Sequence, residues 1–192
     1  MARKYEFKPD KPYSGFFEKL YLTRKQRKSL LKWALYALVL LVLGVLQDVI
    51  LCRFRLFGAT TELVPCAIFL ICLLEGAESG SVFSLVASLL YLFSSTAPGA
   101  YAMVIITALA VFTCIFRQAY LQKGFGAAML CTGAAMVLYE LLVFAIGLFL
   151  GLTHLGRAGA FLLTAALSMV AAPVLYPLFL SIESIGGETW KE

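Results

Sequence analysis

From Trp33 to Ile182 the chain is a succession of apolar runs interrupted only by short polar turns. A helix at the surface of a soluble domain keeps a polar face for water, whereas these runs are apolar on nearly every side. With 61% hydrophobic and 14% charged residues and a mean hydropathy of +0.90, too little polar surface remains to clothe a water-soluble domain. Lipid is the solvent that suits such a chain, and the pattern predicts an all-α integral membrane protein with six transmembrane helices.

The first run, Trp33 to Leu46, extends through Gln47 and Asp48 to Cys52, about 30 Å at helical rise. Arg53 and Arg55 close it, and Phe57, Gly58 and Ala59 form a turn. The second, Glu62 to Leu74, is only about 20 Å long. It must begin earlier, tilt little, or lie where neighbours shield its ends. A polar turn, Glu75 to Ser79, leads to a third run from Gly80 to Phe93, and Ser94, Ser95, Thr96, Ala97, Pro98 and Gly99 then mark a loop. The fourth run is Ala100 to Phe116, the fifth Phe125 to Leu152, and the sixth Ala160 to Ile182 with Pro173 and Pro177 inside it.

Ten of the sixteen Lys and Arg residues lie between Arg3 and Lys32, so the net charge of +5 describes a tail. With an inside start, Arg117, Lys123 and Lys191 join those ten on the cytoplasmic side, against Arg53, Arg55 and Arg157 outside. The excess of cations predicts that both termini are cytoplasmic. The expected organisation is a basic cytoplasmic tail over 1–28, a six-helix membrane domain over 29–182 and a short cytoplasmic tail over 183–192. About thirty polar residues precede the first apolar run where a cleaved leader would have a short basic segment, so the first span is expected to act as an uncleaved anchor. Within the tail, Phe16, Phe17, Leu20 and Tyr21 sit at helical spacing around Lys19, a pattern suited to lying on a membrane surface. Thr23 and Gln26 fit a capping box for a helix running into the first span. Arg24, Lys25, Arg27, Lys28 and Lys32 fit topology control and contact with anionic lipid, which accounts for the basic charge without nucleic acid.

The polar residues within the runs are the candidate sites. Glu140 lies near the middle of the fifth run, where a carboxylate must be neutral, hydrated or paired, as a proton or ligand contact or as an anchor to another helix. Gln47, Asp48 and Glu62 lie near the outer ends of their runs. Gly76, Gly80, Ser84 and Ser88 recur every fourth residue, a stripe on which a second backbone can approach closely, for internal folding or for a partner subunit. The five cysteines have no CxxC spacing and the chain has one histidine, His154, so no metal site, disulfide or cofactor is expected. No nucleophile elbow, phosphate loop or convergent acid pair is visible, and an enzyme is not expected.

In order, these features resemble the rod shape-determining MreD family, over about Val45 to Pro177. Leu46 and Gln47 resemble its leucine-glutamine near the end of the first helix, and Gly58 the glycine after a short link. Thr61, Glu62 and Leu63 stand where the family usually reads proline-aspartate-leucine, keeping the acid and dropping the proline. Gly76, Ala77, Glu78, Ser79 and Gly80 resemble its glycine-rich turn. Ser84 and Ser88 stand where the family has glycine, and Tyr91 where it commonly has aspartate. Gly99 resembles the glycine opening its fourth helix, and Ala172, Pro173, Leu175, Tyr176 and Pro177 its closing segment. The resemblance implies a non-enzymatic scaffold of the bacterial inner membrane that binds MreC and helps couple MreB filaments to peptidoglycan synthesis and cell shape. Other elongation-complex proteins, or a second copy of the chain, are further implied partners. The rival reading is the substrate-binding subunit of an energy-coupling-factor vitamin transporter, also built on six short helices, with Gln47, Asp48, Tyr139 and Glu140 as candidates to meet a ligand.

Overall fold

The computed structural model describes residues 24–54, 58–94, 96–120 and 124–185. The interfacial helix expected around Phe16 to Tyr21 lies outside the described residues, as do Thr23, Arg55, Lys123 and Lys191. The described residues form six helices and no strand: α1 Arg24–Val49, α2 Leu63–Glu75, α3 Ala77–Leu92, α4 Ala100–Tyr120, α5 Phe125–Phe149 and α6 Ala158–Ile185. Short 3₁₀ turns at Leu51–Arg53 and Leu155–Arg157 follow α1 and precede α6.

The arrangement follows from which helices touch. α2 packs against all five others, while the remaining contacts run α1 to α3, α3 to α4, α4 to α5, α5 to α6 and α6 back to α1. Five helices therefore close a ring around a sixth. α2 is buried on every side from Leu63 to Leu74, as expected of a helix with no polar face. The ring helices are apolar on two sides for different reasons. On α1, Tyr36, Leu40 and Gln47 are buried and Leu43 partly so, one stripe at helical spacing, while Leu38, Leu41, Val42 and Val45 are exposed.

Enclosure resolves the brevity of the second apolar run. A helix that meets no lipid has no bilayer thickness to match, so its thirteen residues suffice. The α1 segment, α5 and α6 are long and apolar enough to cross a membrane, whereas α2, α3 and the apolar part of α4 are shorter. That marks the chain as a membrane protein.

Several boundaries differ from the sequence expectation. α1 starts at Arg24, where the capping box places the beginning of a helix running into the first span, and extends the membrane domain upstream of its expected boundary at residue 29. α3 begins at Ala77 and not Gly80. Gly76 is not on the α3 stripe but in the turn before it, at φ 90° and ψ 176°, a conformation essentially restricted to glycine. α5 stops at Phe149, where the chain turns through Gly151. α6 runs through both prolines to Ile185, as a helix packed among others allows.

The rest of the stripe faces inward. Gly80, Ser84 and Ser88 are buried with Ala87 and Tyr91. Ser88 shares a 2.9 Å hydrogen bond with Thr107 on α4, and a Cβ at Gly80 would lie 2.8 Å from Cys72 Sγ and 2.9 Å from the Cys72 carbonyl oxygen. Small residues here bring α3 onto α2 within the chain. Gly80→Ala is expected to lower stability by about 1–3 kcal/mol, because the α2 backbone must move away. Gly80→Phe is expected to prevent the two helices from packing. Denaturation midpoints in detergent check this against Ser81→Ala, and an unchanged midpoint for Gly80→Ala would remove the close approach.

Candidate functional site

Polar side chains from several helices meet at each of the two ends of α2. At its head, the chain must satisfy the amide groups that begin any helix and have no partner within it. Glu62 occupies the cap position with extended backbone, but its side chain makes no capping bond. Pro65 at the third position removes one orphan donor by having no N–H. The work of the cap falls to Gln47 of α1: its Oε1 accepts from the Leu63 and Val64 amides at 2.8 and 2.9 Å. Its Nε2 donates to Thr96 Oγ1 at 2.8 Å. The Glu62 amide donates to Ser168 Oγ of α6 at 2.8 Å.

Around this cap the remaining candidate residues converge. Asp48 Oδ1 accepts from Ser94 at 2.6 Å and from Thr96 at 2.9 Å, fixing the loop between α3 and α4. The Tyr91 hydroxyl donates to Glu62 Oε2 at 3.3 Å. Tyr139 and Glu140 of α5 stand within electrostatic reach of Glu62. Both are buried; the Tyr139 hydroxyl lies beside Glu62 and Tyr91, while Glu140 Oε1 closes no hydrogen bond. Tyr139 is ten residues from the end of α5, and Ser168 ten residues into α6. The head of α2 therefore lies about 15 Å below the α5–α6 turn. Gln47, Asp48 and Glu62, together with Glu140 from much further along the chain, belong to one polar layer.

At the foot, Lys32 Nζ lies 2.7 Å from Glu75 Oε2, and the Tyr36 hydroxyl donates to Oε1 at 2.7 Å. Lys32 was expected among the residues meeting lipid headgroups. The structure turns it inward, 8% exposed, because it lies in helical phase with Tyr36, Leu40, Leu43 and Gln47. A cation there also suits the negative end of the α2 dipole. Arg27 and Lys28 are exposed, and Arg24 and Lys25 open α1. One face of α1 thus carries Lys32 near its start and Gln47 near its end, about 22 Å apart at helical rise, and together they hold both ends of the antiparallel α2.

Sequence reasoning missed Lys32 with Glu75 and Tyr36, the Ser94 and Thr96 partners of Asp48, and Ser168. The signal for Lys32 was its helical phase with Gln47; the others depend on contacts across the bundle. His154 is exposed in the turn before α6. Cys66, Cys72, Cys114 and Cys131 are buried and Cys52 is half-buried; Cys114 Sγ reaches the Cys72 carbonyl at 2.9 Å, tying α4 to α2. Among the described residues, no three His, Cys, Asp or Glu side chains gather where they could hold a metal ion. Comparison with protein-family models, curated proteins and solved structures finds no match for this chain.

Proposed function

We propose that this chain is a six-span protein of the bacterial cytoplasmic membrane, with both termini cytoplasmic, acting as a non-enzymatic scaffold of the MreD type. It binds an MreC-like partner and supports cell-shape control and peptidoglycan synthesis. The observation that carries this reading is where the resemblance falls in the fold. Gln47, Glu62 with Leu63, and the turn from Gly76 to Gly80 all lie at the two ends of α2, which makes the shared residues those that seat the enclosed helix. The excess of cations on the segments assigned to the inside supports the orientation. The outward faces of α1 and α3, with Leu41 and Val45 on one and Val82, Leu90 and Phe93 on the other, are exposed and apolar. They suit lipid and lateral association with another membrane helix. Contact with anionic lipid belongs to the basic segment around Arg24, Lys25, Arg27 and Lys28.

Depletion of the protein in its host is expected to round or widen the cells, and an MreC-like protein is expected to co-purify with it from crosslinked native membranes. Unchanged cell shape together with no such partner would contradict the reading.

The buried Glu140 Oε1, which closes no hydrogen bond, favours a second reading, a substrate-binding subunit of a vitamin transporter. A vitamin that stabilises the purified chain against heat would support it, since a ligand that binds the folded form raises the melting temperature.

A further inference from the structure

We propose that Cys72 of α2 and Cys114 of α4 are a disulfide-forming pair, which a peroxide oxidises to tie the foot of the enclosed helix to its ring. Their Sγ atoms are 2.9 Å apart, and both are thiols in the structure. A disulfide bond is about 2.05 Å long, so roughly 0.9 Å remains to be closed. Packed side chains make displacements of that size thermally. Hydrogen bonds hold the two sulfurs in place: the Cys114 thiol reaches the Cys72 carbonyl oxygen at 2.9 Å, and the Cys72 thiol reaches the Ala110 carbonyl oxygen at 3.4 Å. From α3, Gly80 leaves the Cys72 sulfur its space, since a Cβ there would lie 2.8 Å from it. Two thiolates on one tetrahedral metal ion stand about 3.7 Å apart and need further ligands. The pair is closer than that, and among the described residues no third His, Cys, Asp or Glu joins it.

Spacing along the chain hides the pair, because the two cysteines are 42 residues apart and meet only where α4 packs on α2. Burial selects the oxidant. Cys72 is wholly buried and Cys114 is 1% exposed, which shuts out bulky or charged reagents and admits hydrogen peroxide, a small uncharged one. In the first step the peroxide O–O bond breaks, one oxygen joins a thiol sulfur as a sulfenic acid and the other leaves as water. The second sulfur then attacks the first: the S–S bond forms, the S–O bond breaks, and the released hydroxide takes the remaining thiol proton and leaves as a second water. The two thiols are oxidised and the peroxide is reduced to two waters. Burial slows the first step, but the second finds both reacting atoms already side by side. The bond fixes α4 to α2 about one helical turn from Glu75, near the ion pair that ties the same end of α2 to α1. The pair is independent of the scaffold reading.

The full chain in lipid nanodiscs is treated with hydrogen peroxide up to the concentration that oxidises the half-buried Cys52, unfolded in acid and alkylated, and its cysteine peptides are read by mass spectrometry. A peptide pair linked through Cys72 and Cys114 is expected, with alkylation lost at both together and restored by dithiothreitol. The linked chain is expected to have a higher Tm than the reduced one, since the bond constrains the unfolded chain. Cys114→Ser should show neither the link nor the rise. Should that variant not fold, the wild-type chain decides against the same treatment in sodium dodecyl sulfate, where the link should be lost with the packing of α4 on α2. Oxidation of Cys52 with no link between Cys72 and Cys114, a link that forms as readily in the denatured chain, a linked chain that melts no higher than the reduced one, or a rise that survives in Cys114→Ser overturns the pair.

Discussion

Lys32→Met is expected to destabilise the bundle by about 3–5 kcal/mol, the loss typical of removing one partner from a buried ion pair. The two side chains are 10% and 5% exposed, so water offers Glu75 little replacement. Tyr36 would remain as a single neutral donor to a carboxylate lying at the negative end of the α2 dipole. Lys32→Met combined with Glu75→Leu is expected to recover most of the loss, because the desolvation of both charges disappears with them. Tyr36→Phe alone should cost about 1.5–3 kcal/mol, the loss of one hydrogen bond to a charged group. Equilibrium unfolding in detergent, read as a double-mutant cycle, checks all three. A loss below about 1 kcal/mol for Lys32→Met would place the pair among solvent-screened ones and open the foot of α2 to water.

Gln47→Leu attacks the other end. It removes both acceptor contacts to the Leu63 and Val64 amides, and each buried donor left without a partner costs about 1–3 kcal/mol. Thr96 loses its bond from Gln47 as well but keeps Asp48 and Ser94, so its share is smaller. Together the two amides place Gln47→Leu at about 2–6 kcal/mol, a loss near that of the ion pair and from the same face of the same helix. Gln47→Glu keeps the acceptor and loses the donor, and should fall between the wild-type chain and the leucine variant. Hydrogen exchange locates the damage: the Leu63 and Val64 amides should exchange faster in Gln47→Leu, while amides near Glu75 stay protected. Uniform loss of protection would mean that Gln47 does not act as a local cap.

The runs that became helices were legible because apolar length and polar breaks are local properties. The short second run was legible as an anomaly, since about 20 Å is too little for a lipid-facing span, but its enclosure depends on five neighbours that no local pattern names. The stripe from Gly80 to Ser88 could be read as a close approach, and its partner, α2, could not. Gly76 was read both as part of the turn after Glu75 and as the first member of the stripe, because a spacing of four suits a helix face as well as a turn; the structure keeps it in the turn. Lys32 was misread because it sits among topology-setting cations, although its phase with Tyr36, Leu40 and Gln47 marks the inner face of α1. Glu140 stood out by depth alone, while its nearness to Glu62 required α2 and α5 to be brought together in space.

The account rests on α2 lying antiparallel to α1 inside its ring, with the segments before its head and after its foot leading toward opposite faces of the membrane. In a chain with Cys52 replaced by serine, Phe54→Cys and Glu78→Cys are labelled in turn by a membrane-impermeant thiol reagent in sealed vesicles of known orientation. Labelling of Glu78→Cys from the cytoplasmic face and of Phe54→Cys from the other is the predicted result. Labelling of both positions from the same face would contradict it.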